Sequence, residues 1–306
     1  MSMKALCVKN LVKHYGHKKI LDNVNLTLDE GEFYALMGPN GSGKTTLVSI
    51  VASVIPADEG SVRIYGQDHG KSLVSYVPQE HFSSPLLTGR ETLCYFAQLQ
   101  GFSRQNARSL TEPILETVGL SDEANNRVAT YSGGMRKRLE VGTCLFPGTK
   151  LVILDEPTTG LDPVARREFY RMISTVSEEG KTILLITHIG EDAELAHTVG
   201  FIHEGTIIAQ GSPYQLKKQS NLHQVVTVEP TVPSEHVASI LSSFSVSEQI
   251  LETESGFRLY CNDAKTTIPK VMRALESQRI HLSTCTVEVP SLEDVFFTLT
   301  RRQVSV

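Results

Sequence analysis

The sequence predicts an α/β protein, in which a parallel sheet flanked by helices is followed by a smaller α+β domain. Two short apolar runs, LVILDEP (151–157) and TILLITH (182–188), are typical of strands buried on both faces of a parallel sheet. Segments with helical spacing alternate with such strands, which favours a parallel α/β core. Beyond about residue 220 the predicted order becomes βαββαβ, which is typical of a small ferredoxin-like domain.

The first predicted domain spans residues 1–220. Strands are expected in KALCVKNLVKHYG (4–16) and NVNLTLDEGEFYALMG (23–38), because short β-rich alternations there are broken by Gly and Asp. A helix is expected from Lys44, and two further strands in 60–79.

Helices are expected between Glu80 and about Arg127, where Thr88 and Glu91 form a T-x-x-E capping signal. REFYRMISTVSEEG (167–180) predicts an amphipathic helix closed by glycine. FIHEGTIIAQGSPYQL (201–216) predicts a hairpin and then a helix capped by Ser212.

The second predicted domain spans residues 221–306. Strand-like segments are HQVVTVEP (223–230), SVSEQILETE (245–254), GFRLYCND (256–263) and IHLSTCTVEV (280–289). Two segments with helical apolar spacing lie between them, and a capped amphipathic helix is expected in SLEDVFFTLT (291–300). The segment carries no motif that points to chemistry.

Composition excludes several classes of protein. The 306 residues carry a net charge of −5, so the totals give no electrostatic case for binding nucleic acid. The five cysteines are scattered and form no C-x-x-C pair, which favours a reducing compartment over a disulfide framework or a zinc site. The N-terminus lacks an apolar signal core, and no apolar run approaches the ~18 residues that span a bilayer. Any service to a membrane is therefore expected to run through a partner.

GPNGSGKT, from Gly38 to Thr45, is a G-x-x-x-x-G-K-[ST] motif between a predicted strand and a predicted helix, the setting of a P-loop. Its glycines let the backbone turn N–H groups towards phosphate oxygens. Lys44 is expected to reach the β- and γ-phosphates, and the Thr45 hydroxyl to bind Mg²⁺. The residues assigned to nucleotide binding here are Gly38, Asn40, Gly41, Ser42, Gly43, Lys44, Thr45 and Thr46.

Two acids follow the buried strand LVIL. Asp155 is expected at the carboxyl edge of the sheet, where ligands bind in open α/β folds, and is assigned to Mg²⁺. Glu156 is expected to orient and polarise the attacking water. An acidic pair after a strand is also an ordinary helix start, so these roles depend on the P-loop beside it.

YSGGM (131–135) is a second Gly-rich helix start, far from the P-loop in the sequence. On its own this loop predicts only a helix N-terminus with exposed N–H groups. GPNGSGKTT, YVPQ, YSGGM, LVILDEPTTGLDP and LLITH occur in the order and rough spacing of ABC-type ATPases, which residues 4–217 resemble. The resemblance implies a RecA-like core, an antiparallel β subdomain and a helical subdomain.

The resemblance also explains the second loop. ATPase domains of this family pair head to tail, and each ATP lies between the P-loop of one subunit and the signature loop of the other. Ser132, Gly133 and Gly134, here called the signature loop, are thereby assigned to the partner's γ-phosphate. A second copy of the chain, or a similar ATPase subunit, is the expected partner.

Four further residues are assigned by resemblance alone. Gln79 matches the residue that contacts Mg²⁺ and links the site to the transport partner, and His188 matches a histidine that senses the γ-phosphate. Tyr15 matches the aromatic residue that stacks on adenine, with a packed strand aromatic as its alternative. Asp162 matches the loop that crosses to the other subunit.

Two features beside the signature loop bear on that assignment. Met135 stands where many family members have Gln, and its thioether cannot donate the hydrogen bonds of an amide. RKRLE (136–140) is basic, and a solvated helix face is expected there because its three basic residues are consecutive.

The leading functional hypothesis is an ATP-hydrolysing motor subunit that drives export through a separate membrane permease. The chain is then cytoplasmic and peripheral on the inner face of the cell membrane. Docking to the permease is expected in the helical insert, at Leu86, Leu87, Tyr95 and Phe96. A non-transport ABC ATPase with soluble partners remains the alternative, and a P-loop kinase or GTPase a weaker one.

Overall fold

The computed structural model of the protein describes residues 3–68, 70–220, 222, 224–231, 235–246, 250–253 and 255–304. It divides the chain into two compact units, Met1–Gln210 and Gly211–Val306. Within the described ranges, no helix is both long enough and apolar enough to cross a membrane.

The strands of the first unit form two sheets. In chain order they are β1 (Lys4–Tyr15), β2 (Lys18–Asp29), β3 (Phe33–Met37), β4 (Glu59–Ile64), β5 (Val74–Val77), β6 (Leu151–Asp155), β7 (Thr182–Thr187), β8 (Thr198–His203) and β9 (Thr206–Gly211). A six-stranded sheet has the order β5-β6-β7-β3-β8-β9, and its strands from β5 to β8 pair in parallel. A three-stranded antiparallel sheet has the order β2-β1-β4.

The parallel sheet forms the core that positions the site. Every residue of β3, β6 and β7 is buried, and for β6 and β7 this confirms the prediction drawn from their continuous apolar runs. These strands are adjacent in the order β6-β7-β3, so their carboxyl ends meet at one edge of the sheet. Met37, Asp155 and Thr187 end the three strands at that edge.

The helices of the first unit are α1 (Lys44–Val51), α2 (Gly89–Leu99), α3 (Arg104–Thr117), α4 (Gly133–Gly142), α5 (Pro163–Glu178) and the single turn α6 (Gly190–Ala193). The predicted capping box of α2 is present: the Glu91 amide donates to Thr88 Oγ1 at 3.1 Å and the Thr88 amide to Glu91 Oε2 at 2.9 Å. Helices α2, α3 and α4 pack against one another as the expected helical subdomain.

The second unit contains the predicted βαββαβ order. Its elements are α7 (Pro213–Gln219), β10 (Gln224–Pro230), α8 (Glu235–Ser242), β11 (Ile250–Glu252), β12 (Phe257–Cys261), α9 (Ala264–Ser277), β13 (Leu282–Glu288) and α10 (Leu292–Val304). Antiparallel pairing gives the sheet order β11-β12-β10-β13, which confirms the ferredoxin-like arrangement. Part of the predicted strand 245–254 lies outside the described residues.

The boundary between the units falls between Gln210 and Gly211, ten residues before the predicted boundary at residue 220. The predicted capping box of α7 is present, with the Gln215 amide donating to Ser212 Oγ at 3.2 Å. Helix α7 contacts α10, the last helix of the second unit, so it belongs to that unit. Sequence spacing predicts the helix but gives no sign of this contact.

Candidate functional site

The P-loop (Gly38–Thr45) joins the end of β3 to the start of α1. Gly41 and Gly43 have φ angles of 81° and 104°, a left-handed conformation that favours glycine. A Cβ at Gly38 would lie 2.3 Å from the carbonyl oxygen of Ile202, so the backbones approach too closely for a side chain. Helix α1 has no side-chain cap at its N-terminus, which leaves its N–H groups to an anion.

Lys44 folds back over the P-loop. Its Nζ donates to the carbonyl oxygens of Gly38 at 2.8 Å and Pro39 at 3.0 Å, and lies 3.6 Å from Glu156 Oε1. Burial lowers the pKa of Lys44, and the nearby Glu156 carboxylate opposes that shift. The loop therefore holds a cation where phosphate oxygens would enter.

Glu156 follows β6 in a left-handed turn with a φ of 44°, which is uncommon for a residue with a side chain. Its Oε1 lies 3.2 Å from His188 Nδ1 as well as close to Lys44. The Glu156 amide donates to the Ile186 carbonyl at 2.9 Å, which fixes the turn on the neighbouring strand. Such backbone strain concentrates at functional sites.

Asp155 is buried beside the P-loop. Its Oδ2 accepts a hydrogen bond from the Tyr76 hydroxyl at 3.0 Å, whereas its buried Oδ1 has no partner among the residues that the structure describes. Burial raises the pKa of Asp155, and the neighbouring hydroxyls of Tyr76 and Thr45 act to lower it. A buried carboxylate oxygen that lacks a donor, next to a threonine hydroxyl, fits the oxygen ligands that Mg²⁺ prefers.

A cleft of about 290 Å³ opens over the P-loop. Its lining residues are Tyr15, Lys18, Ile20, Asn40, Gly41, Gly43, Lys44, Thr45, Thr46, Gln79 and Glu156. The Tyr15 side chain is 53% exposed, which leaves its ring available to a stacking ligand. Ser42, in the same loop, has a buried Oγ with no partner in the described part of the chain, and its side chain does not line the cleft.

The signature loop and Asp162 do not line this cleft. Ser132 caps α4 by accepting a hydrogen bond from the Met135 amide at 3.2 Å, and both Ser132 and Gly133 are exposed. Asp162 caps α5 by accepting from the amides of Val164 at 2.9 Å and Ala165 at 3.0 Å. Hydrogen bonds from these amides lower the pKa of Asp162.

The prediction that RKRLE forms a solvated helix face is wrong. Lys137 is 3% exposed and Glu140 is fully buried, because both side chains turn towards residues 78–83, here called the Gln79 loop. Lys137 Nζ donates to the carbonyl oxygens of Pro78 at 3.1 Å and Gln79 at 3.0 Å. Consecutive basic residues looked solvated in sequence because their polar partners lie 58 and 59 positions away.

Several residues at the site were missed from the sequence. Lys18 and Ile20 line the cleft from alternate positions of β2. Both follow Tyr15 closely in the sequence, and this short separation from a predicted adenine-stacking residue could have identified them. Tyr76 lies opposite Ile153 in the parallel β5–β6 pair, two positions before Asp155. The alternation of side chains along β6 therefore places Tyr76 and Asp155 on the same face.

Known proteins match this chain over nearly its whole length. A family model described as ABC transporter matches residues 21–159. The linearmycin resistance ATP-binding protein of Bacillus subtilis (strain 168) is 30% identical over 97% of this chain and 98% of its own. The chain belongs to the ABC transporter family.

A further ABC relative, the Nod factor export ATP-binding protein I of Burkholderia orbicola (strain AU 1054), is 33% identical over 99% of both chains. A dimeric ATP-binding cassette, solved in a post-hydrolysis state with ADP and Pi, superposes with a TM-score of 0.61. That cassette is 26% identical to this chain and covers 68% of it and 98% of its own length. This chain is thus an ABC ATPase subunit of exporter type that binds nucleotide.

Proposed function

We propose that the chain binds MgATP in the cleft over the P-loop and hydrolyses it there through Glu156 and His188. The strongest support is a cluster of three side chains, in which Lys44 Nζ and His188 Nδ1 lie 3.6 Å and 3.2 Å from Glu156 Oε1. A cation, an acid and an imidazole thus meet at the mouth of a phosphate-binding loop. Such a cluster suits water attack on a terminal phosphate.

The P-loop supplies the binding energy for the phosphates. Its glycine backbone and the uncapped start of α1 offer N–H groups, and Lys44 offers a fixed positive charge. Gly38, Asn40, Gly41, Ser42, Gly43 and Thr46 complete this binding set. Tyr15 lies at the rim of the cleft, where its exposed ring stacks on adenine.

Thr45, Asp155 and Gln79 would hold Mg²⁺. The unpaired, buried Oδ1 of Asp155 is the feature that a bound cation would satisfy. When bound, the metal neutralises charge on the phosphates. Glu156 orients and polarises the attacking water, and His188 beside it contacts the γ-phosphate.

The signature loop serves a second nucleotide, held by a partner ATPase subunit. Ser132 and Gly133 are exposed, Gly134 is buried, and none of the three lines the cleft of its own chain, which suits a loop that meets another subunit's γ-phosphate. Asp162 belongs to the loop that crosses to that subunit. The post-hydrolysis cassette that this chain resembles is itself dimeric.

The ATPase drives export through a separate integral-membrane permease, so the chain sits on the cytoplasmic face of the cell membrane. The helical subdomain offers apolar side chains for docking: Leu86 is 75% and Tyr95 51% exposed, and Phe96 packs edge-on against Tyr95. Leu87 completes the set. The exported compound is recognised by the permease.

The test is a pull-down from native membranes. Tagged Glu156→Gln chain is held in MgATP, extracted in mild detergent and analysed by mass spectrometry, with Leu86→Asp as a docking variant and Lys9→Asp, another exposed position, as its control. The proposal is supported if a polytopic membrane protein accompanies the Glu156→Gln chain and its Lys9→Asp control but not the Leu86→Asp docking variant. Only soluble partners would contradict transport and favour a non-transport ABC ATPase.

A further inference from the structure

We propose that Glu140 is a positioning residue, which fastens the Gln79 loop (residues 78–83) to α4, the helix that begins at the signature loop. The inference rests on the proposed function, in which Gln79 contacts Mg²⁺ and the signature loop contacts the partner's nucleotide. It adds a physical link between these two sites within one chain. The link runs through side chains that touch neither nucleotide.

Glu140 is the hub of this link. Its side chain is fully buried, and Oε1 accepts hydrogen bonds from the amides of Phe82 at 3.1 Å and Ser83 at 3.2 Å. The Ser83 hydroxyl donates to the same oxygen at 2.8 Å. On the other oxygen, Oε2, His81 Nδ1 lies at 3.1 Å. One carboxylate thus gathers three consecutive residues of the Gln79 loop.

Two basic residues of α4 reinforce the contact. Lys137 Nζ binds the carbonyl oxygens of Pro78 and Gln79 and lies 3.4 Å from Glu140 Oε2. Arg136 donates from Nε to Ser83 Oγ at 2.9 Å and from Nη2 to the Ser83 carbonyl. The loop is therefore held at both of its ends by one turn of the helix.

Electrostatics favours the charged form of Glu140 in this buried cluster. Burial acts to raise the pKa of Glu140, but hydrogen bonds from Ser83 and His81 and the charge of Lys137 outweigh it and hold the pKa below its usual value. Burial lowers the pKa of Lys137, and Glu140 opposes that shift. Removing one member leaves a buried charge or buried amides unpaired, so the contact is either whole or lost.

This geometry has a mechanical consequence. Gln79 itself is exposed in the cleft, while the backbone on both sides of the contact is tied to α4. A displacement of Gln79 on binding MgATP therefore displaces α4 and the signature loop with it. Without Glu140 the P-loop still binds ATP, but a displacement of Gln79 no longer displaces α4, and the position of Gln79 is no longer fixed.

The test compares the tagged full-length chain, purified in mild detergent with the subunits that accompany it, with four variants. Glu140→Ala removes the hub, and Glu140→Gln keeps one acceptor oxygen. Ser83→Ala removes one hydroxyl, which donates to Glu140 and accepts from Arg136, with little change in packing volume. Glu116→Ala is the control, because Glu116 is exposed on α3. The readouts are kcat and KM for ATP, and the affinity for a fluorescent ATP analogue without Mg²⁺.

A second readout needs no hydrolysis. Hydrogen exchange is followed by mass spectrometry in peptides that cover the P-loop, the Gln79 loop and α4, with and without MgATP. In the unchanged chain we expect MgATP to alter exchange in all three segments. In Glu140→Ala we expect the response of the P-loop to persist and that of α4 to be lost.

The expected kinetic result is a split between kcat and KM. For Glu140→Ala, kcat falls about tenfold or more while KM and analogue affinity stay within about twofold. The kcat of Glu140→Gln is expected to lie between those of Glu140→Ala and the unchanged chain. Ser83→Ala shows a smaller fall in kcat, and Glu116→Ala shows no fall. If Glu140→Ala does not fold, Ser83→Ala alone decides by the same split.

Two results would overturn the inference: unchanged kinetics and exchange in Glu140→Ala, or a loss of kcat matched by a loss of ATP affinity, which indicates a structural role only. A Lys44→Ala chain separates this failure from failure of the proposed function. If the unchanged complex hydrolyses ATP no faster than Lys44→Ala, the proposed function fails. The exchange response of α4 then still decides the inference.

Discussion

The two Gly-rich loops of this chain both begin a helix, but they differ in how the helix N-terminus is capped and in which side chains surround it. The P-loop leads into α1, whose first turn has no side-chain cap, and Lys44, Glu156 and the buried Asp155 surround it. The signature loop leads into α4, whose N-terminus is capped by its own Ser132. Ser132 and Gly133 of that second loop are exposed, and the loop does not line the cleft of its own chain.

The difference shows what each loop needs to act. The P-loop has its own cation and backbone donors, and Asp155 and Glu156 of the same chain lie beside it, so the proposed nucleotide site is formed largely by one chain. The signature loop supplies a hydroxyl and glycine backbone, while its basic neighbour Lys137 turns inward to the Gln79 loop. In the proposed function, its ligand is a nucleotide held by a partner subunit.

The largest expected effect breaks the chemistry of the first loop. Glu156→Gln keeps the size of the side chain but removes the charge that polarises water, so we expect kcat for ATP hydrolysis to fall about 100-fold or more. ATP affinity is expected to persist, because Lys44 and the loop backbone are unchanged. Steady-state kinetics and a nucleotide titration check both statements, and hydrolysis at the unchanged rate would remove Glu156 from its role.

The next effect tests the second loop without disturbing the fold. A Cβ at Gly133 would meet only Leu161 Cδ2 at 3.7 Å, an ordinary contact, whereas a Cβ at Gly134 would lie 2.8 Å from Ala165 Cβ. We expect Gly133→Ala to keep its Tm and its ATP affinity but to lose about 30-fold in kcat, because the methyl group intrudes on the partner's phosphate. Gly134→Ala is the comparison variant, in which Tm falls as well. Full activity in Gly133→Ala would detach the signature loop from catalysis.

A smaller effect sharpens the account of the metal site. Tyr76→Phe removes the hydrogen bond to Asp155 Oδ2, so we expect the KM for Mg²⁺ to rise about tenfold. The Tyr76 hydroxyl acts to lower the pKa of Asp155, so its loss raises that pKa further. The carboxylate of the free chain is then protonated at higher pH, and the acidic limb of the kcat/KM profile, which reports the free enzyme, moves to higher pH. An unmoved limb with an unchanged KM for Mg²⁺ would contradict the assignment.

The smallest effect concerns the cap beside the signature loop. Asp162→Ala removes the acceptor for the amides of Val164 and Ala165, so we expect a slightly lower Tm at neutral pH. Because folding lowers the pKa of Asp162, its contribution is present above the unfolded pKa and is lost as pH falls through the folded pKa. The Tm difference between the two chains should therefore shrink in acid. Calorimetry over a pH series measures this, and a constant difference would contradict it.

Sequence patterns within a few residues predicted the features of the fold that depend on neighbouring residues. The P-loop, the buried strands and the βαββαβ order follow from residue spacing, turn chemistry and apolar runs. The predicted caps at Thr88 and Ser212 are present, because a cap is set by residues within one turn.

Other features depend on contacts between distant segments. The inward turn of Lys137 and Glu140 depends on the Gln79 loop, and the unit boundary before α7 depends on its contact with α10. The left-handed turn at Glu156 gives no signal in sequence, because the residue type favours the opposite conformation.

In the proposed function, two copies of this chain, or this chain and a similar subunit, share their nucleotides between the P-loop of one and the signature loop of the other. The most direct measurement is the mass, by light scattering, of the complex formed by Glu156→Gln with saturating MgATP, beside Glu156→Gln combined with Gly133→Ala. We expect the mass of an ATPase dimer for Glu156→Gln and the mass of the separate subunits for the double variant, while both bind ATP equally. Absence of a pair in the first, or the same pair in both, would contradict it.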